Sequence, residues 1–264
     1  MQSRGMGDRL WEHGIASLPN LVIMERDIIL RTYRMLLSWP TWIIHLFTVT
    51  EWAVAMGLFW RYGRLIQRRE LQIFAVCMGP HLISGLLILG FHLSGDTARG
   101  LLEVSRLTNF GGSLLLLVAT LMMVPTLGRW QRCVWGIVPL GLVWVALVHW
   151  PLLGEHSMAV LRAANIAYLS FLLSLLWVYH ADRRLFSLLT IGGFWFLLVF
   201  VAVTLFTTRI ATVDLGLPSL SQADVLHGLS ESLLSITNLL VALGVYRQIG
   251  RFEYFACQIR ATRL

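Results

Sequence analysis

The residues that could do chemistry are concentrated in the last apolar segment of the chain, roughly residues 222–246. His227, Glu231 and Asn238 lie there at positions i, i+4 and i+11, with Ser235 between them. On an α-helix these offsets fall on one face. A histidine, a carboxylate and an amide are costly to place inside a bilayer and by default indicate function. The stripe therefore predicts a polar site within the membrane.

Further polar residues lie in earlier apolar segments. Glu51 falls near the middle of the first, where a carboxylate must be neutral, paired or facing a wet or cofactor-filled interior. His45 shares that segment, and His81 lies in the second, on the same helix face as His92. No catalytic residue and no metal ligand is assigned. The candidates for cofactor binding are His45, His81, His227, Glu51, Glu231 and Asn238.

Two local patterns indicate structure rather than chemistry. Ser221 and Asp224 have the S-x-x-D spacing of a capping box, so Asp224 is interpreted as part of a helix start. Gly192-Gly193 is the one suggestive break in an apolar segment, of the kind that transporters use.

The composition excludes an ordinary soluble protein. Hydrophobic residues make up 57% of the 264 residues and charged residues only 13%, whereas soluble domains carry about a quarter. The net charge is +7, but no soluble basic patch is interleaved with aromatics, which argues against nucleic-acid binding. The three cysteines are far apart and predict neither a disulfide framework nor a cysteine zinc site. The bilayer is the partner that this composition implies.

Seven apolar segments are long enough to cross a bilayer as helices. We predict an all-α polytopic bundle of about seven spans, arranged as three, one and three helices. The predicted divisions are an N-terminal lead with an interfacial helix (1–37), a three-helix half (38–127), a fourth helix and linker (128–157), and a second three-helix half with a basic tail (158–264). Arginine is more frequent in the loops on the side of the C-terminal tail, which predicts that the C-terminus is cytoplasmic or stromal.

Two stretches resemble known families. Leu37-Ser-Trp-Pro-Thr-Trp-Ile-Ile-His45, followed by Glu51-Trp-Ala-Val-Ala-Met-Gly-Leu-Phe-Trp-Arg-Tyr-Gly63, resembles an uncharacterised membrane family of cyanobacteria and plastids, over about residues 36–125. The stretch Phe194–Thr204 together with Asp224–Leu240 resembles a second such family, over about residues 158–250. The resemblance implies a fusion of both, in a thylakoid or plasma membrane of an oxygenic phototroph. It implies no activity.

Four function classes follow from these observations. We favour an assembly or scaffold protein of photosynthetic membranes, with photosynthetic complexes as partners, because this class demands least of the polar residues. The in-span histidines would suit a tetrapyrrole such as chlorophyll or haem. Glu51 and Glu231 would suit a proton or ion carrier. A membrane metal-dependent enzyme is the fourth class, although no repeated Glu-x-x-His motif of a di-iron site is present.

Overall fold

The structure is a computed structural model that describes residues 37–149 and 157–261. The interfacial helix predicted before residue 37 lies outside the described residues. The described part is all-helical, without strands, as the apolar segments predict. The α-helices are α1 (Trp39–Leu65), α2 (Arg69–Cys77), α3 (Gly79–Leu93), α4 (Arg99–Leu121), α5 (Gln131–Val134), α6 (Ile137–His149), α7 (Ser157–Ala181), α8 (Leu188–Arg209) and α9 (Asp224–Ala261). Two 3-10 turns (Pro125–Trp130 and Leu220–Gln222) and a π-helical turn (Ile210–Asp214) join them.

Among the described residues, six helical units are long and apolar enough to cross a membrane. They are α1, the α2–α3 pair, α4, α7, α8 with its π-helical turn, and α9 as far as Tyr254. The predicted fourth span corresponds to α6, whose described part has 13 residues, or about 20 Å at 1.5 Å per residue. The described order, with three long units before α6 and three after it, agrees with the predicted arrangement of three, one and three helices.

Hydrogen bonds between helix ends fix the direction of the spans. The Ser38 N–H donates to the Asp224 carboxylate at 3.0 Å, so α1 and α9 begin at one end of the bundle, the Ser38 end. The Tyr62 hydroxyl donates to the Arg184 carbonyl at 2.7 Å, so α1 and α7 finish together at the opposite, Tyr62 end. Since α4 and α7 then run in the same direction, the chain between them must return across the bundle, and α6 lies on that path.

A proline explains the division between α2 and α3. Pro80 stands in the first turn of α3, where its missing N–H is tolerated. The Met78 carbonyl at the break accepts a hydrogen bond from the Trp52 indole at 3.0 Å. A residue of α1 therefore supplies a hydrogen bond to the carbonyl group at the break.

The core lies toward the Tyr62 end and is aromatic. Five phenylalanines from α1, α2, α7, the α7–α8 connection and α8 are fully buried: Phe59, Phe74, Phe171, Phe186 and Phe194. Their ring centroids are 5.0–6.4 Å apart, and most pairs meet edge to face, the geometry that aromatic quadrupoles favour. This cluster joins helices from both halves of the chain.

Two sequence interpretations are corrected. The capping box does not form, because α9 begins at Asp224 itself and that carboxylate binds the distant Ser38 N–H. The glycine pair Gly192-Gly193 does not break α8, which is continuous from Leu188 to Arg209. A Cβ at Gly193 would lie 2.7 Å from the Val241 nitrogen, so this glycine permits close packing of α8 on α9.

Candidate metal centre

Three histidines from three different helices meet inside the bundle near the Ser38 end. His45 comes from α1, His92 from the last turn of α3, and His227 from the first turn of α9. Their exposed fractions are 5%, 5% and 8%. Polar side chains that are buried to this extent require partners. His45 and His227 are hydrogen-bonded to each other, and His92 is hydrogen-bonded to Asp96.

The rings are arranged so that their nitrogens converge. The Nε2 atoms of His45 and His227 are 3.1 Å apart. The ring centroids are 5.0 Å apart for His45 and His92, and 5.2 Å apart for each of the other two pairs. One ring nitrogen from each histidine lies within 4.8 Å of the other two. The three imidazoles thus surround one point.

Two carboxylates lie near the Nδ1 atoms of two of the rings. The Asp96 carboxylate lies 2.7 Å from His92 Nδ1, and a Glu231 oxygen lies 3.7 Å from His45 Nδ1. The second distance is long for a hydrogen bond. Burial by itself raises the pKa of Asp96, but hydrogen bonds with His92 and Ser221 outweigh it and hold the pKa below the usual range. Carboxylates in this position fix the tautomer and orientation of metal-binding histidines.

Local sequence explains how His45 and His92 are presented. His45 belongs to a buried stripe of α1 that recurs at helical spacing, with Thr41 before it and Thr48 and Trp52 after it. After α3, Gly95 and Asp96 both have positive φ, at 64° and 60°. Aspartate tolerates this left-handed conformation better than most residues. The tight turn carries the Asp96 carboxylate back onto His92.

From the histidines toward the Tyr62 end, polar contacts continue along the α1–α9 interface. The Ser235 hydroxyl donates to the Glu51 carboxylate at 2.8 Å. The Asn238 amide donates to the Thr48 carbonyl at 3.0 Å. The predicted stripe of α9 therefore faces α1 along its length.

His81 is separate from this cluster. It lies eleven residues before His92, or about 16 Å along the helix axis. Its ring packs against Trp52, with centroids 5.8 Å apart, and its Nε2 lies 3.4 Å from the Ser113 hydroxyl. Its Nδ1 is buried without a hydrogen-bond partner among the described residues. A Cβ at Gly112 would lie 2.4 Å from that nitrogen, so the ring is closely packed.

Of the six candidate residues, the structure places His45 and His227 around this point, with Glu231 on the far side of the His45 ring. Glu51 and Asn238 lie on the adjoining stripe, and His81 lies apart. The contact recorded for the Glu231 carboxylate is with His45 Nδ1, at 3.7 Å.

Sequence reasoning missed His92 and Asp96 as site residues. The available signal was their i, i+4 spacing across a predicted span end, which places two side chains on one helix face.

The geometry suits a metal ion. Two imidazole nitrogens on one tetrahedral ion are about 3.3 Å apart when each metal–nitrogen bond is about 2.05 Å, and the His45–His227 separation is 3.1 Å. The same separation also suits a hydrogen bond between neutral imidazoles. Two axial ligands of a tetrapyrrole would be about 4 Å apart on opposite faces of the ring. The His45–His227 separation is therefore too short for a tetrapyrrole held between these two imidazoles.

Comparison with known families divides the chain into two matched regions, and the site draws residues from both. Residues 36–122 match the family described as Protein of unknown function (DUF2499), and residues 157–250 match Protein of unknown function (DUF3593). The two resemblances inferred from the sequence are thereby confirmed. No curated protein and no solved structure matches the chain.

His45 and His92 lie in the first family region, and His227 and Glu231 lie in the second. Two separate regions of the chain thus match two distinct families of unknown function, DUF2499 and DUF3593, and the three-histidine cluster draws on both regions.

Proposed function

We propose that this chain is an integral membrane protein that binds one first-row transition-metal ion through His45, His92 and His227. The observation that carries the proposal is the convergence of three buried ring nitrogens within 4.8 Å. Imidazole ligands suit zinc, copper, iron and nickel. Asp96 and Glu231 would orient the ligand rings from behind.

Three protein ligands leave a coordination position open. Catalytic zinc sites have this composition, with water or substrate in the remaining position. A metal-dependent enzyme is therefore compatible with the proposed site. In such an enzyme, Glu231 would be the carboxylate beside His45.

The proposed setting is a thylakoid or plasma membrane of an oxygenic phototroph. The resemblance to cyanobacterial and plastid families supports it, and the arginine distribution supports a cytoplasmic or stromal C-terminus. In this setting the chain would act as an assembly or scaffold protein of photosynthetic complexes, with the metal joining its two halves. Cross-linking in native membranes that recovers no photosynthetic subunit would contradict this role.

The metal proposal is tested by elemental analysis of protein purified in mild detergent through a tag without histidine. We expect near-stoichiometric metal in the wild type and loss of it in His45→Ala, His92→Ala and His227→Ala. Each ligand change should weaken binding by more than the roughly 10- to 100-fold that loss of an outer-shell partner costs. His180→Ala, at an exposed position, and His81→Ala, at a half-buried position outside the cluster, are the controls.

Two results would overturn the proposal. One is a wild-type protein that holds no metal after purification and takes up neither Zn²⁺ nor Cu²⁺ in titration. The other is full metal retention in all three ligand variants. An absorption spectrum of the same sample tests the tetrapyrrole, since a Soret or red band that disappears in His81→Ala or His227→Ala would assign a pigment instead.

Proton transfer is the second candidate function, because the polar stripe extends along α1 and α9. From His227 to Asn238 it covers about 16 Å of helix, and Glu51 and Ser235 lie within it. Carboxylates at this depth suit proton exchange. Proton flux into liposomes that falls in Glu51→Gln but not in Glu253→Gln, at an exposed position, would support this function. A wild-type protein without flux would exclude it.

A further inference from the structure

A large cavity opens at the Tyr62 end, on the opposite side of the bundle from the histidine cluster. Its volume is ≈ 920 Å³. Tyr62 is on its wall, 17 residues after His45 and therefore about 25 Å away along α1. The walls come from the end of α1, the α7–α8 connection and α9. The cavity is therefore separate from the histidine cluster.

The charge of the cavity is strongly positive. One acidic side chain, Asp182, lines it. Five arginines line the same cavity: Arg68, Arg183, Arg184, Arg247 and Arg251. Arginine presents a planar set of donors that matches phosphate and carboxylate groups. The wall therefore offers an excess of cationic donors.

Most of these arginines are available to a ligand. Arg68 is paired with Asp182 at 3.2 Å and with Glu70 at 3.3 Å. The other four form no salt bridge with any residue that the structure describes. The guanidinium of Arg183 lies 5.7 Å from the centre of the Tyr179 ring. Within residues 37–149 and 157–261, these four arginine side chains are exposed and have no acidic ion-pair partner.

The polar lining also includes an unpaired acceptor. Gln248 is on the wall, and its Nε2 donates to the Arg184 carbonyl. Its buried Oε1 has no hydrogen-bond partner among the described residues. Such an oxygen is suited to accept a hydrogen bond from a hydroxyl group of a bound molecule.

Apolar side chains complete the wall and place it at the membrane boundary. They belong to Leu65, Ile66, Leu185, Phe186, Leu188 and Phe252. Leu65 is the last residue of α1 and Leu188 the first of α8, so the cavity lies where two membrane-spanning helices end. Basic pockets between helices at this depth are typical of sites for anionic lipid headgroups.

We propose that this cavity binds the anionic headgroup of a membrane lipid, with the arginines contacting a phosphate or sulfonate group and the apolar wall contacting the chains. The arginine counts place the cavity on the side predicted to be cytoplasmic or stromal. A soluble phosphate ester shares the headgroup chemistry but has no chains for the apolar wall.

Native mass spectrometry of the full chain in neutral detergent tests the proposal, with phosphatidylglycerol and phosphatidylcholine as probes. We expect phosphatidylglycerol to bind preferentially, and its binding to weaken about tenfold or more in the double variant Arg247→Gln/Arg251→Gln. The matched control is Arg64→Gln/Arg69→Gln, which removes the same charge from exposed positions at the same end but outside the cavity. Circular dichroism of both variants checks the fold.

Each alternative outcome has a definite meaning. Equal binding of the two lipids, or equal losses in the two double variants, overturns the proposal. Displacement of phosphatidylglycerol by glycerol 3-phosphate at comparable concentration retains the anion site but overturns its assignment to a lipid. In the wild type, binding should also decline as salt is raised, because exposed charges are screened.

Discussion

At the level of single residues, Asp96 determines how the His92 ring is held. Its carboxylate lies 2.7 Å from Nδ1, which leaves Nε2 as the ring nitrogen free to bind a metal. The side chain is largely covered, with an exposed fraction of 15%. Asp96 is therefore a positioning residue in the proposed site.

We predict that Asp96→Asn weakens metal binding by about 10- to 100-fold, because a neutral amide no longer raises the basicity of the His92 ligand. Competition with a metal chelator during Zn²⁺ titration measures the change. Asp214→Asn is the matched control, since Asp214 is exposed at the same end of the bundle and should leave the affinity unchanged. Equal affinities in wild type and Asp96→Asn would show that the carboxylate does not support the ligand.

At the level of elements, the packing of α8 on α9 depends on glycines. Cβ atoms at Gly193 and Gly244 would approach backbone atoms of the facing helix to 2.7 Å and 2.5 Å. The Ser187 hydroxyl donates to the Gly244 carbonyl at 3.3 Å across the same interface. Neighbouring Gly192 has nothing within 4 Å of its Cβ position. The two members of the glycine pair thus differ in role.

Gly193→Ala is predicted to destabilise the protein by about 1–3 kcal/mol, as expected for overpacking against backbone. Gly192→Ala should be neutral or stabilising by up to about 1 kcal/mol, because alanine is the better helix former. Unfolding in detergent, followed by circular dichroism, gives both values. Equal stability of the two variants would contradict the close packing of α8 and α9.

At the level of the whole molecule, the halves that match different families are interleaved rather than side by side. The α1 helix of the first half packs along α9 of the second, and α4 packs along α7. The Asn238–Thr48 and Ser235–Glu51 hydrogen bonds cross this boundary within the membrane. The three-histidine cluster spans the same boundary.

We predict that two chains divided after residue 154 reassociate when they are coexpressed and purify as a 1:1 complex that binds metal. Each half on its own should bind no metal at comparable affinity, because it lacks at least one of the three histidines. Tagging one half and analysing the metal content of the eluate tests both statements. Full metal binding by the N-terminal half alone would contradict a site shared between the families.

The amino-acid sequence by itself determined the features that depend on local spacing and hydropathy. The apolar segments predicted the membrane helices because a bilayer-spanning backbone must satisfy its hydrogen bonds internally. The i, i+4 spacing placed His227 and Glu231 on one face of α9 before any partner was known.

Tertiary structure alone decided which helices are neighbours, and thereby which histidines meet. His81 and His92 share a face of α3, yet only His92 reaches His45 and His227. Apolar helix faces in a bilayer gain little by choosing one apolar partner over another. Close approaches such as Gly193 on α9, and hydrogen bonds across 190 residues such as Asn238 to Thr48, select the pairs instead. Those contacts depend on three-dimensional fit, which residue spacing along one helix does not encode.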